Sequence, residues 1–130
     1  MFDHLSLGVD DLDRAAAFYD AALAPLGYVR LSQNARSVCY GPQGFTGEAP
    51  FAIIAFGPDA KPASPGFHLA FAAPDRDAVD RFHAAALSAG GTDEGAPGVR
   101  EHYDPGYYAV FVRDPDGHRL EAVIHEQTAG

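Results

Sequence analysis

Residues 4–27, HLSLGVDDLDRAAAFYDAALAPLG, recur in outline as residues 68–91, HLAFAAPDRDAVDRFHAAALSAGG. At a constant offset of 64 with no gap, His4, Leu5, Asp11, Asp13, Phe18, Ala21, Ala22, Leu23 and Gly27 meet His68, Leu69, Asp75, Asp77, Phe82, Ala85, Ala86, Leu87 and Gly91, nine identities in 24 positions. Self-similarity at a fixed spacing marks a duplicated unit. The chain therefore reads as one domain over residues 1–130, built from modules 1–57 and 66–126. Three prolines and little apolar content make residues 58–65 the linker between them.

Each module opens on a strand. Leu5, Leu7 and Val9 alternate with His4, Ser6 and Gly8, and Phe67, Leu69 and Phe71 alternate with His68 and Ala70, giving one greasy face and one small or polar face. A helix follows each strand, capped by Asp10 or Asp11 in the first copy and by Asp75 in the second, with Asp13 and Asp77 in the favourable first turn. Pro25 with Gly27 ends the first helix and Gly90-Gly91 the second. Strand candidates then run over Tyr28–Gln33, Ser37–Tyr40 and Phe51–Phe56, and over Val99–Tyr103, Tyr107–Arg113 and Arg119–His125. Asp114-Pro115-Asp116-Gly117 is a turn that pairs the last two as a hairpin. The expectation is an α+β fold in which two βαβββ modules form a half-open, mostly antiparallel barrel with a concave face.

Composition narrows the function. Nine Lys and Arg against eighteen Asp and Glu leave a formal charge of −9, which disfavours nucleic acid and anionic membrane as partners. The single cysteine, Cys39, excludes an internal disulfide, and neither a signal peptide nor an apolar span is visible, so a cytoplasmic location is expected.

Strand parity sets out the candidate site. His4 and His68 occupy the same position in the two modules, on the face opposite the apolar residues. In the last strand Leu120, Ala122 and Ile124 form the apolar face, so Glu121 points the other way with Arg119, Val123 and His125. Two imidazoles and a carboxylate on one concave face are a donor set for a divalent metal, although a lone strand histidine is more often a hydrogen-bonded structural residue. The stretch His102-Tyr103-Asp104-Pro105-Gly106-Tyr107-Tyr108 adds an aromatic wall, in which His102, Tyr103 and Tyr108 are candidate catalytic residues that orient substrate or move a proton. Ordinary sheet packing is the competing reading of those rings. His83 reads as a helix packing residue, His118 as a solvated residue after a turn, His125 as peripheral, and Cys39 as an inert thiol.

The strand with His4, the helix end Phe18-Tyr19-Asp20-Ala21-Ala22-Leu23, the strand Gly66–Phe71 and the run Phe111–Val123 with its Asp-Pro-Asp-Gly turn and Glu121 together resemble the vicinal oxygen chelate superfamily of glyoxalase I, fosfomycin-resistance proteins, extradiol dioxygenases and bleomycin-binding proteins. The resemblance covers essentially the whole chain. It implies paired βαβββ modules, a divalent ion (Fe, Mn, Zn or Ni) held by His4, His68 and Glu121, and a small substrate chelated through neighbouring oxygens. Lyase, isomerase, dioxygenase and thiol-transferase chemistry all remain open. Family members with a fourth ligand carry it on the last strand of the first module, where a direct overlay of Phe51–Phe56 on Arg119–Ile124 sets Ile53 opposite Glu121. An apolar residue there argues against glyoxalase I. The alternative function is a metal-free drug- or metabolite-binding protein of the bleomycin-resistance type. A homodimer is expected in either case, with His4 of one chain able to meet His68 and Glu121 of another if modules pair between chains.

Overall fold

In the computed structural model, which describes residues 1–63 and 65–126, each half of the repeat folds as strand, helix and three strands. The first half contributes β1 (Leu5–Val9), α1 (Leu12–Leu23), β2 (Tyr28–Gln33), β3 (Ser37–Pro42) and β4 (Phe51–Ala55). The second contributes β5 (Leu69–Ala72), α2 (Arg76–Ser88), β6 (Thr92–Val99), β7 (Tyr107–Arg113) and β8 (Arg119–His125). Two four-stranded mixed sheets result, ordered β1-β4-β3-β2 and β5-β8-β7-β6. β1 runs parallel to β4 and β5 parallel to β8, while every other pairing is antiparallel. The fold is α+β, and its two sheets do not close into one barrel.

The helices begin where acidic caps satisfy free backbone amides. Asp11 accepts from the Arg14 amide at 3.1 Å, and Asp75 from the Ala78 amide at 2.7 Å. Gly27, at φ 88°, closes the short helical turn after α1 in a conformation that side-chain-bearing residues resist. One face of each sheet is sealed by its helix, and α1 packs against α2, so the two halves share one core. Phe18, Tyr19, Tyr40, Ile53, Phe82, Val110, Val112 and Leu120 are buried there, and Phe51 meets Phe71 edge-on across the module boundary.

The sixth strand departs from the sequence reading. β6 spans Thr92–Val99, and residues 100–106 form turns in place of the expected strand Val99–Tyr103. Gly95, Pro97 and Gly98 disguise β6 as a loop; the strand lies at the sheet edge, where missing donors and bulges are tolerated.

The β7–β8 turn also does more than reverse the chain. Asp116 accepts from the Asp10 amide at 2.8 Å and from Arg14, Asp114 accepts from the Tyr19 hydroxyl at 2.5 Å, and the His118 ring lies 2.7 Å from the Gly8 carbonyl through Nε2. His118 is therefore not solvated as its place after a turn suggested; it is 3% exposed and fastens the second module to the end of β1. No helix among the described residues is long and apolar enough to cross a membrane.

Candidate functional site

Two register relations place the site. On β8, Glu121 lies opposite Ala70 of β5 and Phe111 of β7, so it stands on the sheet face away from α2, two residues along from the level of His68. That face is concave and holds a cavity of about 500 Å³ walled by Phe67, His68, Tyr103, Tyr107, Phe111, Arg119 and Glu121. At its floor Glu121 is 1% exposed. Tyr107 donates its hydroxyl to Oε2, while Oε1 has no hydrogen-bond partner although Nε2 of His68 lies 3.1 Å away. A buried carboxylate oxygen without a donor is costly, so this orientation singles out Glu121 as a group that awaits something in the cavity.

Tyr107 holds that arrangement. Burial, and after it the hydrogen bond to Glu121, pushes its hydroxyl above its ordinary pKa, so it stays protonated and donates. Tyr103 and His125 flank its ring, with centroids 5.0 and 4.8 Å away, and His102 stacks outside Tyr103 at 4.1 Å. Tyr108 points the other way. Its hydroxyl donates to Asp80 of α2 at 2.6 Å and Arg76 lies over its ring, so Tyr108, a candidate for the pocket wall, faces α2, and of the two adjacent tyrosines it is Tyr107 that reaches Glu121. The signal for Tyr107 was present in the sequence: the Asp114–Gly117 turn sets Arg113 opposite Arg119, which puts Tyr107 on the same face as Phe111 and Glu121.

His4 is not beside this pair. It lies just before β1, half exposed, with Nδ1 2.6 Å from Asp3, and that hydrogen bond raises its pKa above the ordinary value. It shares with His68 a second cavity of about 480 Å³ between the β1 and β5 edges, walled also by Phe2, Phe51 and Phe67. Among the described residues no group of three or more His, Cys, Asp or Glu side chains is close enough to hold a metal ion. Within one chain the structure thus brings together two donors, His68 and Glu121, and leaves His4 apart. An imidazole nitrogen beside an unpartnered carboxylate oxygen suits the donor chemistry of a divalent ion, as an incomplete set.

The fourth-ligand position moves by one residue. β1 pairs Ser6 with Ala52, and β5 pairs Ala70 with Glu121, so the first-module counterpart of Glu121 is Ala52 and not Ile53. Ile53 faces α1 and is fully buried. The overlay of the last strands slipped because β4 starts at the residue paired with Leu5, whereas β8 starts one residue before the one paired with Leu69. Ala52 also lacks a donor atom, so the absence of a fourth ligand stands on a different side chain. His83 leans 3.1 Å from Asp93, and Cys39 is partly buried.

Comparison with known proteins agrees with this architecture. Residues 1–122 match the family model described as the Glyoxalase/Bleomycin resistance protein/Dioxygenase superfamily. A glyoxalase/bleomycin resistance protein from Albidiferax ferrireducens is 35% identical, over 94% of this chain and 96% of that one, with a TM-score of 0.78. A glyoxalase-related enzyme from Fulvimarina pelagi is 23% identical over 95% and 86% of the two chains, with a TM-score of 0.70. The bleomycin resistance determinant encoded on the transposon Tn5 is 21% identical over 98% and 99%, with a TM-score of 0.63. The last two share the fold. A comparison with curated proteins gave no match.

Proposed function

The chain belongs to the Glyoxalase/Bleomycin resistance protein/Dioxygenase superfamily, and from that premise we propose that it is a metal-dependent enzyme acting on a small substrate with neighbouring oxygens. One observation carries the reading: the buried, unpartnered Oε1 of Glu121 facing His68 at the floor of the second-module cavity. His68 and Glu121 would hold the ion, with His4 contributed by a second copy of the chain. Among the described residues the outer edges of β1 and β5 are free of strand partners, and Phe2 is 86% exposed beside His4, which supports pairing along these edges. A divalent ion bound there supplies Lewis-acid polarisation of substrate oxygens. The chain's own part is to orient and exclude. Tyr107 keeps its proton and fixes Oε2, which leaves Oε1 on the side of His68, while Phe67 and Phe111 line the cavity beside the pair. Tyr103 lines the cavity and His102 packs on its outer side, where the two would meet substrate rather than the donor pair. With Ala52 at the strand position that matches Glu121, the fourth position offers no carboxylate to act as the metal-adjacent base of glyoxalase I, so that reaction is not assigned.

The test mixes two variants. Untagged protein, purified without chelator, is analysed for Fe, Mn, Zn and Ni and for mass by light scattering, alone and after His4→Ala and Glu121→Gln are unfolded and refolded together. The expectation is one ion per chain in wild-type dimers, little in either variant alone, and recovery to about a quarter of the sites in the mixture, since half the dimers are mixed and each restores one of two sites. No metal in wild type favours the metal-free binder instead; full metal in a monomer, or no recovery on mixing, removes the contribution from a second copy.

A further inference from the structure

The second-module cavity contains a positive charge that the proposed metal chemistry does not use. The chain has eight arginines in a molecule of formal charge −9, and acceptors are abundant. Arg14, Arg30, Arg76, Arg81 and Arg113 each meet a carboxylate, and Arg36 and Arg100 each meet a backbone carbonyl. Arg119 alone among the arginines has no such partner among the described residues, and it is the one that lines the cavity with His68 and Glu121. Its surroundings sharpen the point. Directly across the hairpin it faces Arg113, a like-charge pairing that strands disfavour. Glu94 on the edge strand β6 is taken up by Arg113, which leaves Arg119 without a carboxylate at this end of the cavity.

We propose that Arg119 is the anchor for an anionic group of the ligand, and that the ligand class is a small carboxylate bearing an oxygen on the adjacent carbon, a 2-hydroxy or 2-oxo acid. A planar guanidinium with free N–H donors matches a carboxylate through two parallel hydrogen bonds. Arg119 and Glu121 are two residues apart on one strand face, about 7 Å along it. A carboxylate held by the long Arg119 side chain therefore leaves the neighbouring oxygen within reach of the Glu121–His68 pair. Phe67 and Phe111 take the short carbon skeleton between these poles. Neutral ligands forgo the anchor, and bulky ones compete with Tyr103 and Tyr107 for the space. The inference deepens the proposed function and rests on it for the reacting end of the ligand, but the anchor itself needs no metal.

That separation determines the experiment. Protein stripped with EDTA and dialysed is titrated with glycolate and with glycolamide, which differ in charge and share the hydroxyl, while amide shifts along β7 and β8 are followed by NMR. Glycolate is expected to bind at least about tenfold more tightly than glycolamide, the increment of a charged hydrogen bond. The preference should shrink in high salt and vanish in Arg119→Gln, with glycolamide unaffected by the substitution. Arg113→Gln, on the neighbouring strand, should keep a glycolate preference. Equal binding of the two probes, binding of neither, or an undiminished preference in Arg119→Gln overturns the anchor. Because all of this is read without metal, failure of the metal assignment leaves the result intact, and failure here leaves the metal analysis intact.

Discussion

The concave faces of the two sheets have the same backbone and opposite chemistry. In the first module the face carries Ser6, Gly8 and Ala52; in the second, at the matching registers, it carries Ala70, Ala72 and Glu121, with Tyr107, Phe111 and Arg119 around the carboxylate. His4 and His68 are the only imidazoles the repeat itself preserves, yet one leans on Asp3 in solvent and the other on Glu121 at the floor of a cavity. Duplication copied what packs: the capping aspartates, Phe18 and Phe82, and the parallel pairing of first and last strands. The polar equipment of a site belongs to one copy. A buried carboxylate needs a surrounding of its own, and only the second module supplies a donor such as Tyr107.

The comparison is broken most severely at the last strand of the first module. Ile53→Glu places a charge in the core against α1 and is expected to cost about 4 kcal/mol or more, whereas Ala52→Glu, one residue away on the open face, should change stability by about 0.5 kcal/mol. Urea denaturation of both variants decides the register; equal losses would mean that Ala52 is not the counterpart of Glu121.

Next in size is the tie between the modules. His118→Ala removes the partner of the Gly8 carbonyl and leaves a small void, for an expected loss of about 2 kcal/mol. His83→Ala, on α2 beside the exposed Asp93, should cost less than half of that. Thermal melts that rank the two in reverse would show that His118 is incidental to the join.

Smaller again is the contrast between neighbouring tyrosines. Tyr107→Phe frees Oε2 of Glu121 and is expected to weaken divalent-metal affinity about tenfold, the effect of losing a group that orients a ligand. Tyr108→Phe, bonded to Asp80 across the sheet, should leave that affinity unchanged. Calorimetric titration with zinc or manganese reads both, and a matching loss in the two variants would mean that sheet packing, not orientation of Glu121, is being measured.

The smallest effect lies at the turn. Burial raises the Asp114 carboxyl above its ordinary value, against the hydrogen bond from Tyr19 and the nearby His118. A raised acid contributes stability that is complete below the unfolded value, near 3.8, and disappears as pH rises through the folded one. Asp114→Asn should flatten that decline between acid and neutral pH. Denaturation midpoints with an unchanged slope across that range would place the titration elsewhere.

Much of this was legible in the chain itself. The 64-residue offset carried both helices with their caps, and the Asp-Pro-Asp-Gly run carried the hairpin at Asp114–Gly117, because each depends on local chemistry: an aspartate before an apolar stripe, a glycine free to adopt positive φ. Strand parity put Glu121 on the open face, since alternation along a strand needs no partner to be read. β6 was not legible: Gly95, Pro97 and Gly98 have no strand preference, and only the protected position at the sheet edge makes a strand of them.

The sequence by itself thus determined the duplicated βαβββ order, the faces on which the ionisable groups stand, and the family those residues resemble. Tertiary structure alone decided what those groups meet. Whether a carboxylate lies beside an imidazole, which of two adjacent tyrosines reaches it, and whether the equivalent residue is Ala52 or Ile53 depend on the register between strands far apart in the chain. Register is set by core packing and connection length together, and a slip of one residue exchanges the two faces of a strand. His118 makes the same point. Its sequence position after a turn placed it in water, and only the docking of one module against the other gave it the Gly8 carbonyl to bind.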